Sequence, residues 1–140
     1  MESVSNDYQV NFTPGNEPTR PLIPRTHFRD KPLEKRIQKY EALMSNEENS
    51  ERVPIICELH KSSQLNLKSD LKFLTHKKMV LKNFQGSIRR KLNFSEDTIL
   101  FFYQGRNILH HSQSMGELYA KFKSEDGFLY LQFSEINALG

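Results

Sequence analysis

Apolar side chains recur along this chain with two different periods, and each period predicts one kind of element. Within 32–44 they occupy the i, i+4, i+7 and i+11 positions of one helix face: Leu33, Ile37, Tyr40 and Met44. This spacing predicts an amphipathic helix. Asp30 is placed to cap its start, and Pro32 suits its first turn. The polar stretch SNEENSE then ends the helix.

A two-residue alternation begins in the stretch RVPIICELH, residues 52–60, and predicts a strand. Its odd-numbered residues would face one side of a sheet: Val53, Ile55, Cys57 and Leu59. Pro54 has no N–H to donate, so we expect it near the strand start or at a sheet edge. A polar hairpin should then lead to a second strand around 71–75.

The helical period returns at 80–92, where four residues form one apolar stripe: Leu81, Phe84, Ile88 and Leu92. The stretch TILFFYQGRNIL predicts a strand, a turn at Gly105 and a short strand. A short helix starting at Ser114 and a last strand at 127–133 follow. The order of elements predicts an α+β fold, a ubiquitin-like β-grasp roll with an N-terminal helical extension and the last strand central.

This pattern divides the chain into four parts. Residues 1–27 combine prolines with apolar residues that follow no period, which predicts a disordered N-terminal arm. An N-terminal helical region at 28–50 and the ubiquitin-like core at 51–134 follow. The last part, 135–140, is predicted to be a flexible C-terminal tail.

Composition excludes several classes of protein. One cysteine, Cys57, cannot form an intramolecular disulfide framework or a multi-cysteine zinc site, and its place in the alternation indicates a core residue. We found no Gly-rich phosphate loop or nucleophile elbow, so we expect no cofactor, no metal and no enzymatic activity. No apolar run is long enough to span a bilayer, so we expect a cytoplasmic protein whose membrane attachment is added later.

Positive charge is concentrated in one segment. Residues 68–91 contain eight Lys or Arg and one acid, a net charge of +7, whereas the whole chain has +3. The sequence pI is about 9.0, which is too mildly basic to indicate nucleic acid. The segment is either a solvated face or a surface that attracts acidic partners.

Several short motifs together resemble the autophagy ubiquitin-like modifiers, the family of GABARAP and the third light chain of microtubule-associated proteins. They are PLEKR, RVPIICE, KFL, IRRKL, DGFLY and the terminal Gly140. From Arg52 to Gly140 the family pattern fits without a gap. The resemblance implies two N-terminal helices on a ubiquitin-like core. It also implies partners: activating and conjugating enzymes of the autophagy pathway, a deconjugating cysteine protease, and cargo receptors.

In that family the C-terminal glycine is activated, passed between enzyme thiols and joined to phosphatidylethanolamine, so the resemblance implies lipid conjugation at Gly140 and an autophagosome location when lipidated. Glycine suits a narrow enzyme active site because it lacks a Cβ. Two acyl chains anchor a protein stably, at about 0.8 kcal/mol per buried CH₂. Leu139 stands where the family usually has an aromatic residue.

The resemblance also implies a sheet edge that accepts an aromatic-x-x-aliphatic peptide with acidic flanks. Pocket one, for the aromatic anchor, maps to Leu43, Pro54, Ile56, Lys72, Leu74 and Phe128. Pocket two, for the aliphatic anchor, maps to Phe73, Thr75, His76, Met79, Phe84, Ser87 and Ile88. Arg52 and Arg89 map to basic contacts with the acidic flank. Lys39 replaces a family acid, and pocket two is more polar than usual at Thr75, so we expect an altered aliphatic preference.

Two other functions fit the same residues. A related ubiquitin-like modifier could be joined through its glycine to a protein lysine instead of a lipid. A non-covalent binding module could use the basic segment for microtubules or RNA, and its binding would depend steeply on salt.

Overall fold

The structure is a computed structural model and describes residues 26–136. The predicted arm lies outside these residues except for its last two positions, and so does most of the predicted tail. Within 26–136 there are three α-helices and five β-strands: α1 (Leu33–Met44), β1 (Arg52–Leu59), β2 (Leu71–His76), α2 (Leu81–Leu92), β3 (Phe101–Gln104), β4 (Asn107–Ile108), α3 (Met115–Phe122) and β5 (Leu129–Ser134). Two 3₁₀ turns flank α1: Phe28–Asp30 and Glu47–Asn49.

One mixed sheet has the strand order β2-β1-β5-β3-β4. Strand β1 pairs antiparallel with β2 and parallel with β5, and β3 pairs antiparallel with β5. The last strand is therefore central, as predicted, and β2 forms one edge of the sheet. Pro54 lies where β1 pairs with β2 alone, because pairing with β5 starts at Ile55. This confirms the expected position of the proline near the strand start.

The alternation of β1 feeds two apolar clusters on opposite faces of the sheet. Ile55 and Cys57 belong to the larger cluster, which α2 and α3 cover. Ile56 belongs to a smaller cluster, which the residues around α1 cover. Burial raises the pKa of the Cys57 thiol well above its ordinary value, so this cysteine is a core residue and not a reactive thiolate.

Helix α1 begins differently from the prediction. Its N-cap position is Pro32, which makes no side-chain capping bond. Asp30 is not the cap, because it lies in the preceding 3₁₀ turn, which the Lys31 N–H closes by donating to the Phe28 carbonyl at 3.1 Å. The described residues thus contain two 3₁₀ turns and one α-helix before the sheet, where the family resemblance implied two helices.

The N-cap residue of helix α2 is Val80, which makes no side-chain capping bond. Backbone carbonyls take the place of a cap. The Leu81 N–H donates to the Gln113 carbonyl at 2.8 Å, and the Lys82 N–H donates to the His111 carbonyl at 2.9 Å. The loop before α3 therefore satisfies amides that would otherwise be orphaned.

The connection between β1 and β2 is not the polar hairpin that the sequence suggested. Its residues Leu65 and Leu67 are buried in the larger cluster, with exposed fractions of 8% and 0%. The connection spans residues 60–70, which is long enough to fold back over the edge of the core. The sequence did not predict their burial, because two apolar residues are too few to indicate a strand and they follow no helical period.

Candidate functional site

A buried carboxylate fixes α1 against the sheet. Asp126 accepts hydrogen bonds from Arg36 Nη1 at 2.8 Å and from the Phe128 amide at 2.9 Å. It also accepts one from the Tyr130 hydroxyl. Burial opposes ionisation of Asp126, but these hydrogen bonds outweigh it and lower the pKa of the carboxyl below its ordinary value. The helix is held where its inner face can form one wall of a cavity.

Gly127 brings the helix and the sheet into direct contact. Its φ is +98°, a conformation that side chains with a Cβ rarely adopt. A Cβ at this position would lie 2.4 Å from the Tyr40 ring. Tyr119 adds a hydrogen bond, its hydroxyl donating to the Gly127 carbonyl at 2.7 Å. The glycine of the DGFLY motif is thus required by both its backbone conformation and the packing of α1.

An open cavity of about 480 Å³ lies between α1 and the β1–β2 face of the sheet. Its lining residues are Phe28, Lys39, Ala42, Leu43, Ile55, Ile56, Lys72, Phe73, Leu74 and Phe128. Five of the six residues predicted for pocket one belong to this lining. Pro54 does not, although it is the cross-strand partner of Leu74. Apart from two lysines the lining is apolar, as in most sites that bind an apolar group.

Two lysines provide the charge of the cavity. Lys39 extends from α1 and Lys72 from β2, and both are exposed. The described residues that line the cavity contain no acid. Lys39 and Lys72 therefore make the cavity mouth positive on both sides, which favours anionic groups beside an apolar anchor.

The residues predicted for pocket two belong to β2, to the turn after it and to α2, and Phe73 among them also lines the cavity. Phe84 and Ile88 are fully buried in the larger cluster, so they support this surface from below. Phe73 and Met79 are half-buried and pack against that cluster. The remaining members lie nearer the surface or at the end of β2: Thr75, His76 and Ser87.

The hydroxyl group of Thr75 has an unusual environment. The residue is 8% exposed, and its hydroxyl oxygen has no hydrogen-bond partner among residues 26–136. A buried hydroxyl without a partner costs about 1–3 kcal/mol. The polar substitution that sequence analysis noted in pocket two is thus a point of lost stability.

Two basic residues of α2, Arg89 and Lys91, have different environments. Arg89 Nη1 donates to the Thr98 carbonyl at 3.1 Å and to Gln85 at 3.2 Å, which ties it to the loop after α2. Lys91 places its ammonium 5.6 Å from the ring centroid of Phe73. Arg89 is the residue predicted to contact an acidic flank, and Lys91 of the same IRRKL motif lies beside Phe73 of the predicted pocket two.

Arg52 is exposed at the start of β1, opposite His76 in the β1–β2 register. It lies at the same end of the edge as the predicted pocket two. The ladder therefore brings a basic side chain of β1 beside the end of β2.

The C-terminal residue Gly140 lies outside the described residues, as do 137–139. The residue that begins the predicted tail is held by its side chain. Ser63 donates its hydroxyl to Glu135 Oε1 at 2.7 Å, and the Gln64 N–H donates to Glu135 Oε2 at 2.9 Å. The chain therefore leaves the sheet from a position fixed by the β1–β2 connection.

Phe28 is the cavity residue that sequence reasoning missed most clearly. It is a single apolar residue in the stretch THFRDK and belongs to no periodic stripe. It lies at the predicted boundary between arm and helical region, and only its contacts across the fold bring it to the cavity. No local signal could have assigned it.

No helix within residues 26–136 is long and apolar enough to cross a membrane. The same part of the chain contains no group of three His, Cys, Asp or Glu side chains that could hold a metal ion. What the site offers is an apolar cavity with a basic mouth, next to the outer edge of β2. These features define a ubiquitin-like α+β protein with an apolar cavity next to one edge of its sheet.

The sequence profile described as "Autophagy protein Atg8 ubiquitin like" matches residues 35–140. The chain belongs to this Atg8 family. Autophagy-related protein 8 of Colletotrichum lindemuthianum is 31% identical over 117 residues, which covers 83% of this chain and 95% of that protein. Autophagy-related protein 8 of Aspergillus niger is 30% identical over 117 residues, 83% of this chain and 98% of that protein.

Solved structures agree with the fold. Trypanosoma brucei ATG8 superposes with a TM-score of 0.67 at 29% identity, covering 76% of this chain and 90% of that one. Plasmodium falciparum Atg8, in complex with a Plasmodium falciparum Atg3 peptide, superposes with a TM-score of 0.64 at 20% identity, covering 78% and 94%. The second comparison supports the ubiquitin-like fold alone. The family resemblance and the fold class predicted from sequence are confirmed.

Proposed function

We propose that this protein is a modifier and adaptor of autophagy, joined through Gly140 to phosphatidylethanolamine, whose cavity binds aromatic-x-x-aliphatic motifs of cargo receptors. One observation carries the binding part of this proposal. The 480 Å³ cavity is lined by five of the six residues that sequence reasoning assigned to the aromatic anchor. It opens beside β2, the strand at the edge of the sheet.

The binding mode we propose is β-augmentation. An extended peptide would pair its backbone with the outer edge of β2 and insert its aromatic side chain into the cavity. Lys39 and Lys72 would attract acidic residues beside that anchor and mainly increase the association rate. Lys91, beside Phe73, and Arg52, opposite His76, would meet further acidic residues. The polar Thr75 and His76 would weaken the preference for a large aliphatic anchor.

The conjugation part rests on the C-terminal sequence and family membership. A carboxylate must be activated before it can acylate an amine, so the chemistry belongs to activating and conjugating enzymes, and this chain supplies the acyl group. The Atg3 peptide bound to Plasmodium falciparum Atg8 motivates an Atg3-type conjugating partner here. The protein would be cytoplasmic before lipidation and membrane-bound after it, and a cysteine protease would reverse the attachment.

Conjugation is tested by incubating the chain with the activating and conjugating enzymes and vesicles that contain phosphatidylethanolamine. We expect a lipid-dependent gel shift for the wild type and none for Gly140→Ala. A shift that persists in Gly140→Ala contradicts the proposal. Mass spectrometry of the product distinguishes a lipid from a protein lysine, which is the other target that the sequence leaves open.

Peptide binding has a convenient readout because the chain contains no tryptophan. The fluorescence of an acidic peptide with a Trp-x-x-Leu motif would therefore report binding directly. We expect Leu74→Arg, which places a charge in the cavity, to abolish binding. Ile99→Arg is the matched control, since Ile99 is 59% exposed and lies away from β2. Equal binding by both variants would rule out the cavity as the site.

A further inference from the structure

The residues just before α1 contact the segment that leads into β2, the edge strand of the sheet. Thr26 forms a parallel bridge with Ser69, and its N–H donates to the Lys68 carbonyl at 2.9 Å. Phe28 then donates its N–H to Asp70 Oδ2 at 2.9 Å. The chain's own segment 26–28 is thus joined to residues 68–70 by one bridge and one side-chain hydrogen bond, directly before the edge proposed to receive a peptide.

This pairing delivers an aromatic ring to the cavity. Phe28 is 4% exposed and packs edge-on against Phe128, with ring centroids 4.9 Å apart. The Lys72 ammonium lies 5.8 Å from the Phe28 ring centroid, and Ile56 belongs to the same apolar cluster. Three residues predicted to contact a peptide's aromatic anchor therefore already surround an aromatic ring of this chain.

A surface contact holds the segment in place. Arg29 Nε lies 2.6 Å from Glu58 Oε2, and its guanidinium lies 4.0 Å from the ring centroid of Tyr130. The Arg29 side chain is 51% exposed, whereas the Glu58 side chain is only 8% exposed, so water reaches the arginine half of the ion pair. The segment is therefore ordered by contacts that a competing ligand can replace.

We propose that Phe28 is an intramolecular anchor, which occupies part of the aromatic pocket and is displaced when a partner's aromatic side chain enters. The inference rests on the proposed peptide-binding function. Each partner must compete with Phe28 for the pocket. The pocket therefore selects extended acidic peptides, which also pair with β2, and rejects weak ligands that have a single anchor. The opposite arrangement, in which Phe28 is a permanent wall that the anchor packs against, gives opposite results in the experiments below.

The first experiment follows the ring directly. Phe28→Trp introduces a single tryptophan into the full-length chain, and it is titrated with a tryptophan-free acidic peptide containing Phe-x-x-Leu. We expect the emission to shift to longer wavelength as the ring enters water, with the same midpoint as binding measured by calorimetry. A peptide with Ala in place of Phe should cause no shift. Binding with unchanged or blue-shifted emission overturns the proposal.

The second experiment measures affinity. Phe28→Ala should bind the Trp-x-x-Leu peptide on the order of tenfold more tightly, as expected if the pocket of the wild type is open about one tenth of the time. Arg29→Ala, which loosens the segment and leaves the cavity lining intact, should give a smaller gain. Urea unfolding verifies that both variants remain folded.

Weaker binding by Phe28→Ala, at retained stability, shows that the ring is a wall and overturns the displacement proposal while the proposed function stands. Binding by Phe28→Ala alone, with none by the wild type, supports both. If neither the wild type nor either variant binds any of the peptides, the proposed peptide-binding function fails and this inference fails with it.

Discussion

Arg36 of α1 donates a hydrogen bond from Nη1 to Asp126 Oδ2 at 2.8 Å, across 90 positions of the chain. Arg36 ends the PLEKR motif and Asp126 begins DGFLY, two of the stretches on which the family resemblance rests. Their contact explains physically why both motifs occur together. The pair attaches α1 to the sheet, and the cavity exists only while the helix stays there.

Removal of the Asp126 charge should make stability less dependent on pH. Because the folded state lowers the pKa of Asp126, its ionised form stabilises the protein above the ordinary carboxyl pKa. That contribution is lost as the pH falls through the lower pKa of the folded state. We expect Asp126→Asn to lower the free energy of unfolding by about 1–3 kcal/mol at pH 7, and the difference from wild type to shrink towards pH 3.

Urea unfolding at several pH values measures this difference. Glu51→Gln serves as the control, because Glu51 also has a lowered pKa, through Lys77, but is exposed. Its removal should change the free energy of unfolding little at any pH. A difference for Asp126→Asn that stays constant from pH 7 to pH 3 would refute the assigned role of the carboxylate.

Gly127→Ala should destabilise the protein for two separable reasons. The left-handed backbone conformation costs about 1–2 kcal/mol for a residue with a Cβ, and the added methyl would collide with the Tyr40 ring. Gly105 provides the matched control, since its φ is +64° but no atom lies within 4 Å of an added Cβ. We expect Gly105→Ala to lose only the conformational part.

Thermal unfolding of the two alanine variants checks this expectation. Tyr40→Ala in the Gly127→Ala background should recover part of the loss, because it removes the colliding ring. Equal losses for Gly127→Ala and Gly105→Ala would mean that α1 moves aside at little cost. Helix α1 would then not be a rigid wall of the cavity.

These contacts also show where sequence reasoning works in this protein. The alternation at Ile55, Ile56 and Cys57 needs only the geometry of one strand, and it assigned each residue to the correct face. The stripe of α2 likewise depends only on helical period, and its members Phe84 and Ile88 are fully buried. Four of the predicted cavity residues lie in strand motifs of the family resemblance, namely Ile56, Lys72, Leu74 and Phe128, and Leu43 lies on the predicted helix.

The features that escaped depend on contacts between distant segments. The position of Asp30 before the helical stripe is typical of a cap. In the structure Asp30 instead belongs to the 3₁₀ turn Phe28–Asp30, whose first residue donates its N–H to Asp70. Helix α2 lacks a capping side chain because the loop at 111–113 supplies carbonyls to its amides. Neither partner can be identified from the residues next to the helix, since the stabilising group comes from another part of the fold.

Thr75→Val should stabilise the protein. The hydroxyl oxygen of Thr75 is buried without a partner among residues 26–136, and valine has nearly the same shape without the polar atom. We expect a gain of about 1 kcal/mol in the free energy of unfolding. Thr75→Ser is the control: it keeps the hydroxyl and loses the methyl, so it should destabilise. A destabilised Thr75→Val would show that the hydroxyl has a favourable partner in solution.

Charge reversal at the cavity mouth should reveal how acidic peptides are recognised. Lys39→Glu and Lys72→Glu each place a negative charge beside the cavity, which should slow association with an acidic Trp-x-x-Leu peptide and weaken its dependence on salt. Exposed charges contribute about 0.2–1 kcal/mol each, so we expect a modest loss of affinity for each variant and a larger loss for the double variant. Stopped-flow fluorescence at two ionic strengths measures both effects.

Lys121→Glu is the matched control, because it makes the same change in net charge on α3, which packs against the opposite face of the sheet. If the field of the whole protein attracts the peptide, all three single variants should slow association equally. If the two cavity lysines attract it, Lys121→Glu should behave as the wild type. Equal effects at all three positions would therefore contradict the local role of Lys39 and leave its replacement of a family acid without consequence for binding.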